Sequence, residues 1–191
     1  MRFDSGMTDE VYQEQILPHV SRTFALTIPQ LPPGLRTAVT SAYLLCRIAD
    51  TIEDEPALSA AETFAFLQRF TAVVYGREEG ALLARELEPR LSDRTLPAER
   101  DLVRNMERVV RMTARLHEQQ RAAIHRCIEV MCYGMHHFQH TASVRGLARH
   151  PVSAQQPDLA NLSGLNSSMK FLPGLAMADH EAHPDFHVLL F

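Results

Sequence analysis

The sequence contains little cysteine and no long apolar segment. Its three cysteines, Cys46, Cys127 and Cys132, are odd in number, and each lies in an apolar context that predicts a helix. This pattern disfavours a framework of disulfides and favours buried thiols in a reducing compartment. No stretch of 18 apolar residues occurs, so we expect no transmembrane helix.

An excess of charge of either sign is also missing. The 191 residues carry a formal net charge of −4, and no run of basic residues alternates with aromatic ones. Nucleic acid is therefore not expected as a partner. The N-terminal segment MRFDSGMTDE is acidic and lacks an apolar core, which predicts no secretory signal. We expect a cytoplasmic protein, for which a peripheral contact with a membrane stays open.

Helical periodicity dominates the rest of the sequence. Prolines, glycines and capping residues separate the segments, and Ser59 with Glu62 forms a capping-box signature, with Gly76 as the C-cap of the same helix. The predicted helices cover residues 10–17, 21–28, 33–54, 59–75, 78–91, one that begins at Pro97, and 118–140. No segment alternates like a strand of useful length, so the sequence predicts an all-α fold.

Two of these helices have buried sides that can be named in advance. The helix that begins at Pro97 is expected to bury Leu102, Val103, Met106, Val109, Val110 and Thr113. The helix over 118–140 is expected to bury Ile124, Cys127, Ile128, Met131 and Met135.

The last part of the chain has a different composition. Residues 149–191 contain four prolines with serine, asparagine and glycine between them, and no amphipathic period lasts beyond about two turns. We predict one helical domain over residues 1–148, followed by a tail that forms loop or disorder.

The most informative segment runs from Ser41 to Asp54 and reads SAYLLCRIADTIED. Four polar residues in it are spaced 4, 3 and 4 apart, which places them within an arc of roughly 60° on one helix face. This polar stripe consists of Tyr43, Arg47, Asp50 and Asp54. Two carboxylates one turn apart suit a hard divalent cation such as Mg²⁺, whose remaining ligands often include phosphate. An arginine one turn earlier suits phosphate as well, so the polar stripe predicts half of a metal-assisted diphosphate site.

Together with an upstream segment, the polar stripe resembles a known family. The segment Ser21-Arg22-Thr23-Phe24 precedes the pattern Y-x-x-x-R-x-x-D-x-x-x-D, and this pair of motifs is similar to that of squalene and phytoene synthases. The resemblance covers about residues 11–148, including the segment MCYGMHHF at 131–138. It implies an all-α helical bundle of the isoprenoid-synthase type around a central cavity.

The resemblance also implies roles for individual residues. Asp50 and Asp54 would bind Mg²⁺, and Glu53, about 80° from the polar stripe, would support these ligands rather than join them. The other implied roles are diphosphate contacts from Arg22 and Arg47, further hydrogen bonds from Ser21 and Thr23, a cavity wall at Phe24, and a place for Tyr43 beside the leaving diphosphate or the migrating cation.

The implied reaction is a head-to-head condensation of two prenyl diphosphates, such as farnesyl or geranylgeranyl diphosphate. Cations and arginines stabilise the departing diphosphate, and a dry apolar pocket protects the carbocation from water. NADPH would be a further cofactor only if the product were squalene. The residues do not distinguish squalene from phytoene as product, and they do not predict an oligomeric state.

The sequence departs from the family after about residue 148. The family's second D-x-x-x-D motif, and the tyrosine- and glycine-rich helix before it, are not found, and Asp179 and Asp185 are six apart with Pro184 between them. We therefore expect a helical bundle that is incomplete at its C-terminus, with a tail that could come from a shifted reading frame. The expected alternative to a synthase is a weak or inactive chain that keeps only the first half-site.

Simpler roles remain open for the same residues. Asp50 and Asp54 could be a solvated acidic helix end, Arg47 could pair with them along the helix, and Tyr43 and Phe24 could be core. Ser21 could be only a helix N-cap. The spacing of His136 and His140 could bind zinc, although no cysteine or acid completes a recognised pattern. An unrelated helical interaction module would leave the polar stripe on its surface.

Overall fold

The computed structural model describes residues 6–144, with side chains as far as residue 135. Between residues 6 and 144 the chain forms helices, short 3₁₀ turns and loops without a β-strand, so the predicted all-α fold is confirmed. The helices are α1 (Asp9–Val20), α2 (Arg22–Thr27), α3 (Pro33–Glu53), α4 (Ala60–Val74), α5 (Gly80–Leu87), α6 (Pro97–Arg104), α7 (Met106–Ala114) and α8 (Glu118–Val144). The predicted tail over 149–191 lies outside the described residues.

Helix α3 lies at the centre of this arrangement and begins where the sequence predicts. Pro32 is its N-cap and Pro33 opens its first turn, where a missing N–H costs no intrahelical hydrogen bond. The helices α1, α4, α6, α7 and α8 all pack against it. Its side chains Leu44, Leu45 and Ile48 are fully buried as a result. The apolar side chains of the surrounding helices therefore cover most of α3 and leave the polar stripe partly exposed.

The start and end of α4 follow the predicted local signals. Ser59 Oγ accepts a hydrogen bond from the backbone N–H of Glu62 at 3.3 Å, and Glu62 Oε2 accepts one from the N–H of Ser59 at 2.9 Å. The helix closes before Gly76, whose φ of 70° is a conformation that L side chains rarely adopt. The capping box and the glycine C-cap are both confirmed.

The predicted end of the first helix at Pro18 is wrong. Helix α1 continues through Pro18 to Val20, and the extended Ser21 ends it while donating its N–H to the Leu17 carbonyl at 2.9 Å. Pro18 has no N–H and so removes a single hydrogen bond from the last turn of α1. The helix tolerates this loss because it ends two residues later.

Two predicted helices are interrupted. The segment 78–91 forms α5 and then a 3₁₀ turn that contains Pro89, which cannot donate to a continuing helix. The helix that begins at Pro97 breaks at Asn105, whose side chain donates to the Asp101 carbonyl at 2.9 Å in competition with the backbone. The break separates α6 from α7, and Val110, predicted to be buried, is only partly so.

A buried glutamate fixes the loop that follows α3. Glu55 is 4% exposed, and its carboxylate accepts hydrogen bonds from Ala57 N at 2.9 Å, Ser92 N at 2.9 Å and Thr95 Oγ1 at 2.6 Å. Burial raises the pKa of Glu55, but the hydrogen bonds from Thr95 and Ser92 outweigh it, so the pKa lies below the ordinary value. The end of α3 is thereby tied to the loop before α6.

We expect Glu55→Gln to destabilise the protein at neutral pH by about 1–3 kcal/mol, because an amide cannot replace a carboxylate that accepts three hydrogen bonds. Because folding lowers the pKa of Glu55, its contribution is complete above the unfolded pKa and is lost as the pH falls through the folded pKa. Urea unfolding at pH 7 and pH 3 measures both effects.

The control is Glu14→Gln, which changes an exposed glutamate of α1. It should leave the free energy of unfolding within about 0.5 kcal/mol of the wild-type value. If Glu55→Gln matches this control at pH 7, the stabilising role of Glu55 is wrong. If it differs from the wild type equally at both pH values, the pH dependence of that role is wrong.

Candidate functional site

The polar stripe lies along the side of α3 that the core leaves open. Tyr43, Arg47 and Asp50 are partly exposed and Asp54 is exposed, while Ile48 between them is fully buried. Asp54 is the C-cap of α3, and its N–H donates to the Asp50 carbonyl at 2.8 Å. The helical spacing read from the sequence therefore places the four side chains on one accessible face.

Arg47 has two acidic neighbours, one on its own helix and one on α6. Its Nη2 donates to Oε1 of Glu99, and its Nη1 lies 3.9 Å from Oδ2 of Asp50. Burial lowers the pKa of Arg47, but the charge and hydrogen bond of Glu99 outweigh it, so the pKa is raised above its ordinary value. The guanidinium therefore stays positively charged, and Glu99 holds it through Nη2.

One atom of Arg47 has a donor to spare. Its Nε is buried and has no hydrogen-bond partner among the described residues. Buried donors of this kind are seldom left unpaired in folded proteins. The described neighbours of Arg47 therefore do not use its full hydrogen-bonding capacity.

Asp50 is the more buried of the two aspartates. Burial is the largest cause of its raised pKa, Asp54 and Glu99 raise it further, and Arg47 opposes them. A cation between Asp50 and Asp54 would relieve the repulsion that this shift reports.

The donor set at this position fits Mg²⁺ in chemistry and in number. Asp50 and Asp54 supply hard carboxylate oxygens, and Mg²⁺ is typically held by one or two carboxylates with water and phosphate completing the octahedron. Among the described residues, no group of three or more histidine, cysteine or acidic side chains could hold a metal. The two aspartates would thus hold the ion only as part of a shell completed by other ligands.

The second predicted motif, Ser21 to Phe24, meets the polar stripe. The rings of Phe24 and Tyr43 pack at a tilt of 39° with centroids 4.5 Å apart, and the Tyr43 hydroxyl donates to the Val20 carbonyl at 3.2 Å. Ser21 is the N-cap of α2, where its Oγ accepts from Phe24 N at 3.1 Å. The tertiary structure therefore brings the two motifs together through Tyr43.

The remaining predicted residues lie nearby with different exposure. Arg22 and Thr23 are exposed on the first turn of α2, and Glu53 is half-buried in the last turn of α3. The simple roles of Ser21 as a helix cap and of Tyr43 as a residue with a bonded hydroxyl are present in the structure. Neither role tests the expected substrate contacts of these residues, which stay predictions.

Helix α8 borders the polar stripe through its cysteines. The hydrogen bond with Cys127 raises the pKa of Cys46 on α3, and burial raises that of Cys132 on α8. The charge of Asp50 raises both further, so it lies within electrostatic reach of both thiols. The Cys46 thiol donates to the sulfur of Cys127, and this hydrogen bond lowers the pKa of Cys127 to about 6 against the opposing effect of burial. The prediction of three buried thiols is confirmed for Cys132, but Cys46 is only partly buried and Cys127 is exposed. The helical period does not reveal how far a neighbouring helix covers each position.

The principal residue that sequence reasoning missed is Glu99. It lies in the first turn of α6, where its Oε2 accepts from Leu96 N at 3.2 Å as in a capping box. The residues Pro97 and Glu99 signal a helix start in the sequence, but no local pattern couples Glu99 to Arg47 on α3.

Comparison with known proteins decides the ancestry of this site. The squalene/phytoene synthase family model matches residues 17–163. The chain belongs to the squalene/phytoene synthase family. The match continues beyond residue 148, where the resemblance was expected to end, into residues that the structure does not describe.

Individual members of the family match over shorter stretches. Squalene synthase of Solanum lycopersicum is 44% identical over 63 residues, which are 33% of this chain and 15% of the relative. Squalene synthase of Schizosaccharomyces pombe is 36% identical over 89 residues, covering 47% of this chain and 19% of the relative. The chain therefore spans under a fifth of the length of these two relatives.

A solved structure supports the fold. The structure of the squalene synthase TcSQS with its ligand E5700 superposes with a TM-score of 0.58 at 28% identity, covering 68% of this chain and 35% of that one. The predicted isoprenoid-synthase-type helical fold is thus confirmed. None of the helices between residues 6 and 144 is long and apolar enough to cross a bilayer. The side chains of His136 and His140, and residues Asp179 and Asp185, lie outside the described side chains.

The cysteines offer a direct test of the packing beside the polar stripe. We expect iodoacetamide at pH 7 to alkylate Cys127 at least about ten times faster than Cys132. Cys127 is exposed with a lowered pKa, whereas Cys132 is 5% exposed and burial raises its pKa to about 11. Peptide mass spectrometry measures both rates, and Cys127→Ser serves as the control. Faster labelling of Cys132 in the folded protein would contradict the arrangement.

Proposed function

We propose that this chain carries the first diphosphate-binding half of a squalene/phytoene synthase site and acts as a Mg²⁺-dependent prenyltransferase. The substrates are prenyl diphosphates of the farnesyl or geranylgeranyl type, condensed head to head. The observation that carries this proposal is the polar stripe itself, on which two aspartates and a partly unpaired arginine share one open helix face. Family membership supports it.

The aspartates and the arginine of the polar stripe would bind different parts of the ligand set. Asp50 and Asp54 would hold Mg²⁺, which when bound supplies positive charge to a departing diphosphate. Arg47 would donate to diphosphate oxygens through the guanidinium N–H groups that Glu99 does not occupy. Its positive charge would interact most favourably with a diphosphate that gains negative charge as the allylic carbon–oxygen bond breaks.

Tyr43 and Phe24 form the aromatic part of the site. Their tilted rings are in contact, and an aromatic face can stabilise a nearby cation. Arg22, exposed at the start of α2, would reach diphosphate oxygens, with Ser21 and Thr23 as further donors. A carbocation formed here needs cover from water, which the apolar side chains of a complete cavity would supply.

A second function is binding of diphosphate without turnover. It is favoured because no third metal-ligating side chain joins Asp50 and Asp54 within the described residues. In that case the half-site would bind Mg²⁺ and a prenyl diphosphate but would not complete the condensation. NADPH use by a squalene-forming enzyme, cytoplasmic location and peripheral membrane contact remain predictions under either function.

The test compares wild-type chain with Asp50→Asn for product formation from farnesyl or geranylgeranyl diphosphate in the presence of Mg²⁺. We expect Asp50→Asn to lower turnover at least about a hundredfold, because it removes a charge needed to hold the cation. Equilibrium binding of the same substrates with and without Mg²⁺ separates loss of chemistry from loss of binding.

The matched control is Asp93→Asn, which changes an exposed aspartate in the loop before α6. This variant should retain wild-type turnover and binding. Binding without turnover, lost in Asp50→Asn, would favour the second function. If neither substrate binds in a Mg²⁺-dependent way, both functions are wrong.

A further inference from the structure

The Arg47 guanidinium already has an anionic partner in this structure. Glu99 Oε1 accepts from its Nη2, and the Glu99 side chain is only 12% exposed, compared with 31% for Arg47. The other Glu99 oxygen accepts from Leu96 N at 3.2 Å. The carboxylate is therefore held in place by the helix that it caps and is not a loose surface group.

The charge around Arg47 is unbalanced. Asp50 lies 3.9 Å from the guanidinium, and both Asp54 and Glu99 act electrostatically on Asp50. Asp50 and Glu99 thus flank the guanidinium, and Asp54 adds a negative charge beside Asp50. Their combined field repels any approaching anion. Partial burial weakens the screening of this repulsion by water and salt.

Glu99 differs from the two aspartates in what it can do. Its oxygens are taken up by Arg47 and by the N-terminus of α6, and it joins no cluster of three metal-ligating side chains within the described residues. A divalent cation on Asp50 and Asp54 would cancel their charge and leave Glu99 bound to Arg47.

We propose that Glu99 keeps Arg47 from capturing anions on its own and so makes diphosphate binding depend on a divalent cation. The inference rests on the proposed function of the polar stripe. Glu99 is in this sense a positioning residue, which holds one edge of the guanidinium and directs the rest of it toward the site where the cation and diphosphate meet. The coupling between cation binding and diphosphate binding then depends on Glu99 as well as on the two aspartates.

The experiment measures the affinity of the full chain for inorganic diphosphate by calorimetry, in EDTA and in MgCl₂. Glu99→Gln should bind diphosphate in EDTA about three to ten times more tightly than wild type, because a repelling charge is removed and an arginine donor is released. Glutamine at this position can still cap α6, so the helix start is kept. The ratio of affinities with and without Mg²⁺ should fall by a similar factor.

Glu62→Gln is the matched control. Glu62 occupies the same capping-box position in α4, and it pairs with Arg90 at 2.6 Å, away from the polar stripe. The control should not change diphosphate affinity in either buffer. Glu99→Asp keeps the negative charge, so it should bind diphosphate in EDTA as weakly as wild type does. This variant separates the effect of charge from that of packing, and it remains informative if Glu99→Gln folds poorly.

The outcomes separate the two proposals. If wild type binds diphosphate only with Mg²⁺ and Glu99→Gln shows unchanged or weaker binding in EDTA, the role of Glu99 is wrong and the proposed function stands. Tight binding by wild type in EDTA would also overturn that role. If wild type fails to bind even with Mg²⁺ but Glu99→Gln gains binding, Glu99 does guard Arg47 and the proposed magnesium site is wrong. No binding by any variant overturns both.

Discussion

The described structure depends on the division of α3 into a buried face and an open face. Five helices pack against α3, and its leucine and isoleucine side chains are removed from water where they meet. Burial of each such side chain favours folding by about 1.5–3 kcal/mol, so rotation of α3 about its axis would carry a large cost. The polar stripe is therefore fixed in direction by residues that take no part in its chemistry.

The open face carries an electrostatic cost. Asp50 and Asp54 lie at the C-terminal end of α3, where the helix dipole disfavours negative charge. Arg47 and Glu99 extend the same cluster by one cation and one further anion. A divalent cation would offset the net negative charge of this cluster and so allow a polyanionic substrate to approach Arg47. This coupling between cation and substrate underlies both the proposed function and the role assigned to Glu99.

Family membership agrees with the geometry of the polar stripe. The family match and the superposition on TcSQS place the helices and the two motifs in a shared fold. The relatives and the solved structure are much longer than this chain, which spans 35% of TcSQS. The chemistry of a whole synthase is therefore a proposal for this chain, whereas its fold and ancestry are established.

Local signals in the sequence were sufficient to predict several elements. Pro33 opens α3, the Ser59–Glu62 capping box begins α4, and Gly76 follows its end. Each depends on residues within about one turn of one another, where backbone hydrogen bonding decides the outcome. The polar stripe was predictable for the same reason, since helical spacing alone puts its members on one face.

Contacts between distant segments decided the rest. Two contacts join different helices: Glu99 pairs with Arg47, and Phe24 packs against Tyr43. The exposure of Cys127 likewise depends on how α8 packs against its neighbours. The break at Asn105 also escaped prediction, since the apolar period continues through it and a side-chain hydrogen bond to Asp101 competes with the backbone. The sequence by itself determined the helices, the polar stripe and the family resemblance, because these follow from short-range spacing and motifs. Only the tertiary structure decided which carboxylate faces Arg47, because that depends on how α6 packs against α3.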